Sequence, residues 1–322
     1  MIELFGTLGP ACRDQDTLIQ MFQEGMTGMR LNLSHSGLAE SEAMIRDFQQ
    51  AANTAGVKPE LLIDLQGPEL RIGALNQSLT LADHSIIPAS AIPLPAQVAE
   101  VLESSDHVLL DDGKLELEYQ ADTFTVLRGG TLLSRKSIKI VNKDVPMPAL
   151  TDADKENLAL ARSFGVSAVM QPFVRDDLDL KAVKEELLKN NAPDIRIFSK
   201  IENRIGLSNL DRIIPHSDMV VIARGDLGND IPLAELPGVQ KDIASACKKQ
   251  NVPFLVVTQM LTSMINSPVP TRAEVSDIFN AVTDGASAVM VTNETAAGNY
   301  PVEVIKVLRD TTAAAEAWCL SH

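Results

Sequence analysis

Eight short apolar runs, 2–5, 28–33, 61–65, 166–170, 195–199, 219–223, 254–257 and 288–291, recur along the chain. Each has the length of a strand buried on both faces. Between most of them lie segments with apolar residues at helical spacing: 16–23, 39–52, 154–163, 178–189, 236–249 and 273–282. A strand that is apolar on both faces needs cover on both. Eight such strands alternating with helices obtain it by closing into a parallel (β/α)8 barrel, with the helices as an outer ring.

One connection breaks the alternation. Between the third and fourth runs, residues 71–137 contain no long helical segment beyond 95–103. Leu115-Glu116-Leu117-Glu118-Tyr119 alternates with period two after the turn pair Asp112-Gly113, and 123–127 and 131–133 read as a hairpin around Gly129-Gly130. The expectation is an α/β chain in which 1–70 and 138–322 form the barrel and 71–137 form a small β-rich lid domain inserted after strand three. Without the insert about 255 residues remain, close to the ~250 of a typical barrel, which favours barrel plus insert over two consecutive domains.

Charge narrows the partners. With 28 Lys+Arg against 43 Asp+Glu the net charge is -15, which repels nucleic acid and anionic membranes alike, so neither is expected as a partner. No apolar stretch approaches the ~18 residues of a membrane span, and the first residues lack a basic region followed by an apolar run. Cys12, Cys247 and Cys319 are far apart and in no metal-ligand spacing, as in a reducing compartment, and a cytoplasmic location is expected. Against the acidic background, Arg128, Arg135, Lys136, Lys139 and Lys143 form a basic stretch that suits a nucleotide phosphate or, equally, a solvated hairpin.

In a barrel the residues just past the strands line the active-site mouth. Glu202 and Asp226 follow adjacent strands and offer two hard oxygen ligands for Mg²⁺ or Mn²⁺; otherwise they pair with Lys200, Arg224 or Arg30. Lys200 lies two residues before Glu202, on the same side of an extended strand, either stabilising a developing enolate or phosphoryl charge or closing a salt bridge. Arg30 and Arg71 have the planar fork that matches phosphate, or make interface ion pairs. Asn32, Ser34 and Asp64 give an oxygen-rich pocket for a monovalent cation, while Asn and Ser after a strand also form turns. Gly225 lets a substrate carboxylate approach the amides of Gly225 and Asp226, or simply permits a tight turn. Thr258 either relays a proton through water or is structural. His35 next to Ser34 has no evident carboxylate partner for a hydrolytic triad, and nothing lowers the Cys12 pKa. There is no Walker-type loop and no G-x-G-x-x-G after a strand.

In their order along the chain these motifs resemble the pyruvate kinase family over almost its whole length. The stretches that carry the resemblance are Thr7-Leu8-Gly9-Pro10-Ala11, 28–35, Asp64-Leu65-Gln66-Gly67-Pro68-Glu69-Leu70-Arg71, 111–113, Ser199-Lys200-Ile201-Glu202-Asn203, Ala223-Arg224-Gly225-Asp226-Leu227-Gly228, Thr258-Gln259-Met260, 270–274 and 293–295. The resemblance implies divalent-metal ligation by Glu202 and Asp226, and Lys200 beside the transferred phosphoryl group and enolate oxygen. It implies a potassium site from Asn32, Ser34, Asp64 and the Leu65 carbonyl, with Glu69 matching the potassium-requiring form. Arg30, His35, Arg71, Lys136 and Asn32 fall among its phosphate and nucleotide contacts. Ala223, Gly225, Asp226 and Thr258 match the groups that hold the pyruvate or phosphoenolpyruvate carboxylate, with Arg30 beside the substrate phosphate and Thr258 on the proton path.

The departures are Leu65 where the family has threonine, Gln66 where it has lysine, Asn293 where it has glycine and Ala297 where it has lysine. The chain stops after the eighth helix at His322, before the family's C-terminal regulatory domain, so control by fructose bisphosphate is not expected. The expected activity is phosphoenolpyruvate plus ADP to pyruvate plus ATP, with Mg²⁺ or Mn²⁺ and K⁺. A second reading keeps the metal-enolate site for a lyase, decarboxylase or specialised-pathway reaction of a pyruvate-like 2-oxo acid, motivated by Gln66, Asn293 and a lid shorter than usual. A third is a non-catalytic binding paralogue, against which the retained metal and acid-handling residues count. Oligomeric state stays open, a homodimer through barrel helices being one option.

Overall fold

The computed structural model describes residues 2–322 except His35, Glu69, Asp112 and Asp144. Eight parallel strands close the barrel: β1 (Glu3–Thr7), β2 (Gly28–Asn32), β3 (Glu60–Asp64), β4 (Ala168–Gln171), β5 (Arg196–Ile201), β6 (Met219–Ala223), β7 (Phe254–Val257) and β8 (Ala288–Met290). Each pairs with its sequence neighbours and β8 returns to β1, with Glu3 opposite Ala288 and Phe5 opposite Met290. The two apolar faces of these strands have different neighbours. Phe5, Leu62, Met170, Phe198, Val221, Leu255 and Met290 fill the barrel interior, whereas Leu4, Ile63, Val169, Ile197, Val220, Ile222 and Val256 pack on the helices. That double burial is why the runs read as continuously apolar.

Helices follow the strands as the spacing predicts, at Gln15–Gln23, Glu42–Ala55, Asp152–Ala161, Asp177–Lys189, Leu236–Gln250 and Arg272–Thr283, and a further helix, Pro301–Ser321, follows β8. Four of them start on side-chain caps. Asp14 accepts from Thr17 N–H, Asp176 from Leu178 N–H, and Thr151 and Thr271 form capping boxes with Asp154 and Glu274. Among the described residues no helix is long and apolar enough to cross a membrane.

The chain divides into two compact units, one comprising the residues up to Gly67 with Ala149–His322, the other Pro68–Pro148. The second unit is wider at both ends than 71–137. Its return strand Ile138–Ile140 pairs antiparallel with His107–Leu110, which keeps those residues in the insert's own sheet. That sheet has five strands in the order Ile138–Ile140, His107–Leu110, Leu115–Gln120, Thr123–Arg128 and Ile86–Pro88, around a core of Val108, Leu117, Phe124 and Val126. Leu79–Leu81 and Gly130–Leu132 form a separate pair.

The hairpin expected around Gly129-Gly130 is not there. Leu115–Gln120 and Thr123–Arg128 pair with each other, and the turn between them is Ala121-Asp122, with φ of 43° and 65° at the two residues. Paired left-handed residues suit the right-handed twist of a two-residue hairpin. Gly129 serves a close approach instead, since a Cβ there would lie 2.2 Å from the Leu81 carbonyl oxygen. The turn residue Asp112 lies outside the described residues.

Candidate active site

The barrel brings four charged side chains to the carboxyl ends of β2, β3 and β5. Arg30 Nε donates to Asp64 Oδ2 at 2.7 Å, and Lys200 Nζ stands 3.2 Å from both oxygens of Asp64. The same ammonium lies 2.9 Å from Glu202 Oε1, just past the end of β5. The other Glu202 oxygen, Oε2, accepts the Phe173 N–H at 2.8 Å, and Phe173 holds a left-handed φ of 51° to present it. Asp64 and Glu202 are each only 2% exposed.

Burial raises the cost of every charge here, and the partners decide which charges persist. Burial pushes the Asp64 carboxyl up, but Lys200 and Arg30 outweigh it and hold Asp64 below the usual carboxylate range. Burial alone would discharge Lys200; Asp64, Glu202 and Asp226 keep it firmly protonated. Glu202 goes the other way. Burial, with the negative charges of Asp226 and Asp64, outweighs Lys200 and pushes it up to about 7. The buried Glu202 and the half-buried Asp226 are therefore a like-charged pair of hard oxygen donors with a deficit of positive charge. That donor set fits Mg²⁺ or Mn²⁺. Among the described residues no group of three His, Cys, Asp or Glu is gathered.

The Glu202 shift has a measurable consequence. In the fold Glu202 keeps its proton up to about pH 7, while its ordinary value is 4.5. Folding then takes up a proton between these limits, so the contribution of Glu202 to stability is full below pH 4.5 and is lost as pH rises through about 7. In EDTA, Glu202→Gln is expected to flatten this fall and to melt above the parent protein at pH 8. Melting curves of both chains from pH 5 to 8 check it, and parallel curves contradict it.

The next strand ends bring Gly225 and Thr258 together. Ala223 closes β6 and leads directly into a short helix, Arg224–Asp230, with Asp226 in its first turn. A Cβ on Gly225 would lie 3.1 Å from Thr258 Cγ2, so glycine lets the two segments touch. Thr258 and Gln259, just after β7, both hold positive φ, 83° and 58°. A β-branched residue in that region is strained by about 1–3 kcal/mol and needs an external hold. Arg224 supplies it. Its NH2 donates to the Thr258 carbonyl at 2.6 Å and lies 2.7 Å from Asp277 Oδ2 on the Arg272–Thr283 helix.

Residues 2–305 match the family model described as pyruvate kinase, barrel domain. The chain belongs to the pyruvate kinase family. It is 37% identical to the pyruvate kinase of Bacillus licheniformis over 98% of this chain and 57% of that protein. The pyruvate kinase of Geobacillus stearothermophilus is 36% identical over 94% of this chain and 54% of its own length, and pyruvate kinase 2 of Synechocystis is 35% identical over 95% and 55%. The chain thus spans about half the length of the curated pyruvate kinases it matches.

Other residues matched to pyruvate kinase motifs are placed as follows. Asn32 lies opposite Asp64 across β2 and β3, and its Oδ1 accepts the Ser34 N–H at 3.1 Å in a local turn. Leu65 follows Asp64, its N–H bound to the Met170 carbonyl. Arg71 and Lys136 belong to the second unit, where Arg71 bridges to Ser137 and donates to the Arg135 carbonyl at 3.0 Å, and Lys136 lies 2.7 Å from Asp111 Oδ1. His35 and Glu69 lie outside the described residues. Within the basic stretch, Arg128 pairs with Glu116, Lys136 with Asp111, and Lys143 with Glu103 and Asp106, so much of its charge is met internally. Burial pushes the Cys12 thiol up to about 11 and Cys247 to about 12, which removes both as nucleophiles.

Three contributors were not legible as site residues: the Phe173 amide, Arg224 and Asp154. Arg224 carries a sequence signal that points to the acidic pair, and Asp154 carries one, the Thr151-x-x-Asp154 capping-box spacing, that announces a helix start and nothing more.

Proposed function

We propose that this chain transfers the phosphoryl group of phosphoenolpyruvate to ADP, giving pyruvate and ATP. The observation that carries the reading is the cluster of Arg30 and Lys200 with the buried carboxylates Asp64 and Glu202 at the barrel mouth, with Asp226 beside it. Glu202 and Asp226 would hold Mg²⁺ or Mn²⁺, which when bound offsets phosphate and enolate charge. Asn32, Ser34, Asp64 and the Leu65 carbonyl would hold K⁺. Gly225, Asp226, Ala223 and Thr258 seat the substrate carboxylate. Arg30 and Lys200 offset charge as the bond between phosphorus and the enol oxygen breaks and the bond to the ADP oxygen forms. The enolate carbon then takes a proton from water ordered near Thr258. Arg71, Lys136, His35 and Asn32 would contact the nucleotide or its phosphates. The substrates are small molecules, the compartment is cytoplasmic, and a homodimer through barrel helices fits the exposed helix ring.

A second reading, a nucleotide-independent enolate reaction of a pyruvate-like 2-oxo acid, draws on Gln66 standing where the family has lysine and Asn293 where it has glycine. Both readings require enolate chemistry. Incubated with pyruvate, Mg²⁺ and K⁺ in D₂O, the protein is expected to exchange the methyl hydrogens, followed by proton NMR. A folded protein that leaves the methyl signal intact contradicts both and moves the weight to a binding role.

A further inference from the structure

The second unit joins the barrel unit by two crossings, outward after Gly67 and back at Ala149. A single carboxylate stands at both. Asp154 is wholly buried, and its Oδ1 accepts the Gln66 N–H at 2.9 Å while Oδ2 accepts the Gly67 N–H at 3.1 Å. Oδ2 also accepts the Thr151 N–H at 2.9 Å and the Thr151 hydroxyl at 2.8 Å. The capping box accounts for the Thr151 bonds, because a helix start needs them. It does not account for the bonds to Gln66 and Gly67, which lie 88 and 87 residues away in the chain.

A second fastener lies at the return crossing. Gln171, at the end of β4, donates from Nε2 to the Ala149 carbonyl at 2.8 Å, and its buried Oε1 has no hydrogen-bond partner among the described residues. The outgoing turn is held sterically as well: Gly67 has φ of 61°, and a Cβ there would lie 2.3 Å from Pro172 Cγ.

We propose that Asp154 is a positioning residue that clasps the outgoing and returning backbone together and so fixes the segment from Asp64 to Gly67. Asp64, two residues before Gln66, is the carboxylate on which Arg30 and Lys200 converge. Charge-assisted bonds from three N–H groups and one hydroxyl make the carboxylate hard to replace, since an amide at this position keeps one acceptor oxygen and turns the other into a donor. The consequence for turnover rests on the phosphotransferase reading. The consequence for the backbone does not.

The test compares residue-level amide hydrogen exchange and steady-state kinetics of the full chain with those of Asp154→Asn and Thr151→Ala. In Asp154→Asn, exchange at Gln66, Gly67 and Thr151 is expected to rise by about tenfold or more, with the barrel core unchanged. The kcat is expected to fall by about tenfold with KM for phosphoenolpyruvate within about threefold of the parent. Thr151→Ala is expected to loosen only the first turn of Asp152–Ala161. Unchanged protection at Gln66 and Gly67 in Asp154→Asn overturns the proposal, as does equal loosening by Thr151→Ala, which would make Asp154 a helix cap alone. Faster exchange with unaltered turnover, in a parent that makes pyruvate, overturns the positioning role. Where the parent makes none, exchange alone decides the clasp. Where Asp154→Asn does not fold, the parent is read by exchange in rising denaturant. There the three amides are expected to open together, and separate openings overturn the proposal.

Discussion

Lys200→Ala is expected to lower turnover on the order of 10³-fold while the barrel still folds. The ammonium is the hub of the site, 3.2 Å from each oxygen of Asp64 and 2.9 Å from Glu202. Without it Asp64 keeps Arg30, but Glu202 is left buried beside Asp226 with no cation at that distance. Removing one partner of a buried pair costs about 3–5 kcal/mol, and the lower figure applies because Glu202 relieves the site by taking a proton. The loss is therefore larger at pH 8, where that proton must be held against solvent, than at pH 6. Lys200→Arg is not expected to restore turnover, because a planar guanidinium cannot place one point charge between two carboxylates. Turnover and denaturant midpoints at both pH values check this, and a Lys200→Ala protein with more than a third of parental turnover contradicts the role given to the lysine.

Gly67→Ala is expected to destabilise the fold by about 2–5 kcal/mol without removing a charge. Two costs combine at this position. The left-handed φ of 61° costs a residue with a Cβ about 1–2 kcal/mol. The 2.3 Å approach to Pro172 Cγ, whose ring has no rotamer to move to, adds about 1–3 kcal/mol of overpacking. A fall of roughly 5–10 °C in melting temperature follows. Gly56→Ala separates the two costs, since Gly56 has φ of 70° and no atom within 4 Å of the added Cβ. It should lose only the backbone part, about 1–2 kcal/mol. Equal losses in the two variants would mean that the Pro172 contact relaxes freely.

What the sequence makes readable follows from which forces are local. The barrel strands are readable because burial on both faces leaves no polar register to mistake, and Met219–Ala223 and Phe254–Val257 fall on the apolar runs residue for residue. The helix after β6 is not readable, because Gly225 and Gly228 within seven residues depress its propensity and its start is set by tertiary contact with Thr258. The insert hairpin misleads because its turn, Ala121-Asp122, lacks glycine, while the Gly129-Gly130 pair answers a steric demand from Leu81 in another strand. At the site, residue types at strand ends name the candidates, but not their pairings. Lys200 and Asp64 are 136 residues apart, and nothing in the chain announces that one ammonium serves both Asp64 and Glu202. Arg224 is the clearest case, a cation whose sequence position suggests the acidic pair and whose guanidinium instead braces the Thr258 turn.

The proposed reaction moves a phosphoryl group between phosphoenolpyruvate and ADP. The most direct measurement is pyruvate release from phosphoenolpyruvate by the purified chain with Mg²⁺ and K⁺, with and without ADP, with ATP quantified in the same samples. The expected result is pyruvate that appears only with ADP and is matched mole for mole by ATP. Pyruvate released equally without ADP, or none from a folded protein that exchanges pyruvate methyl hydrogens, would contradict the phosphotransferase and leave the enolate reaction of a 2-oxo acid in its place.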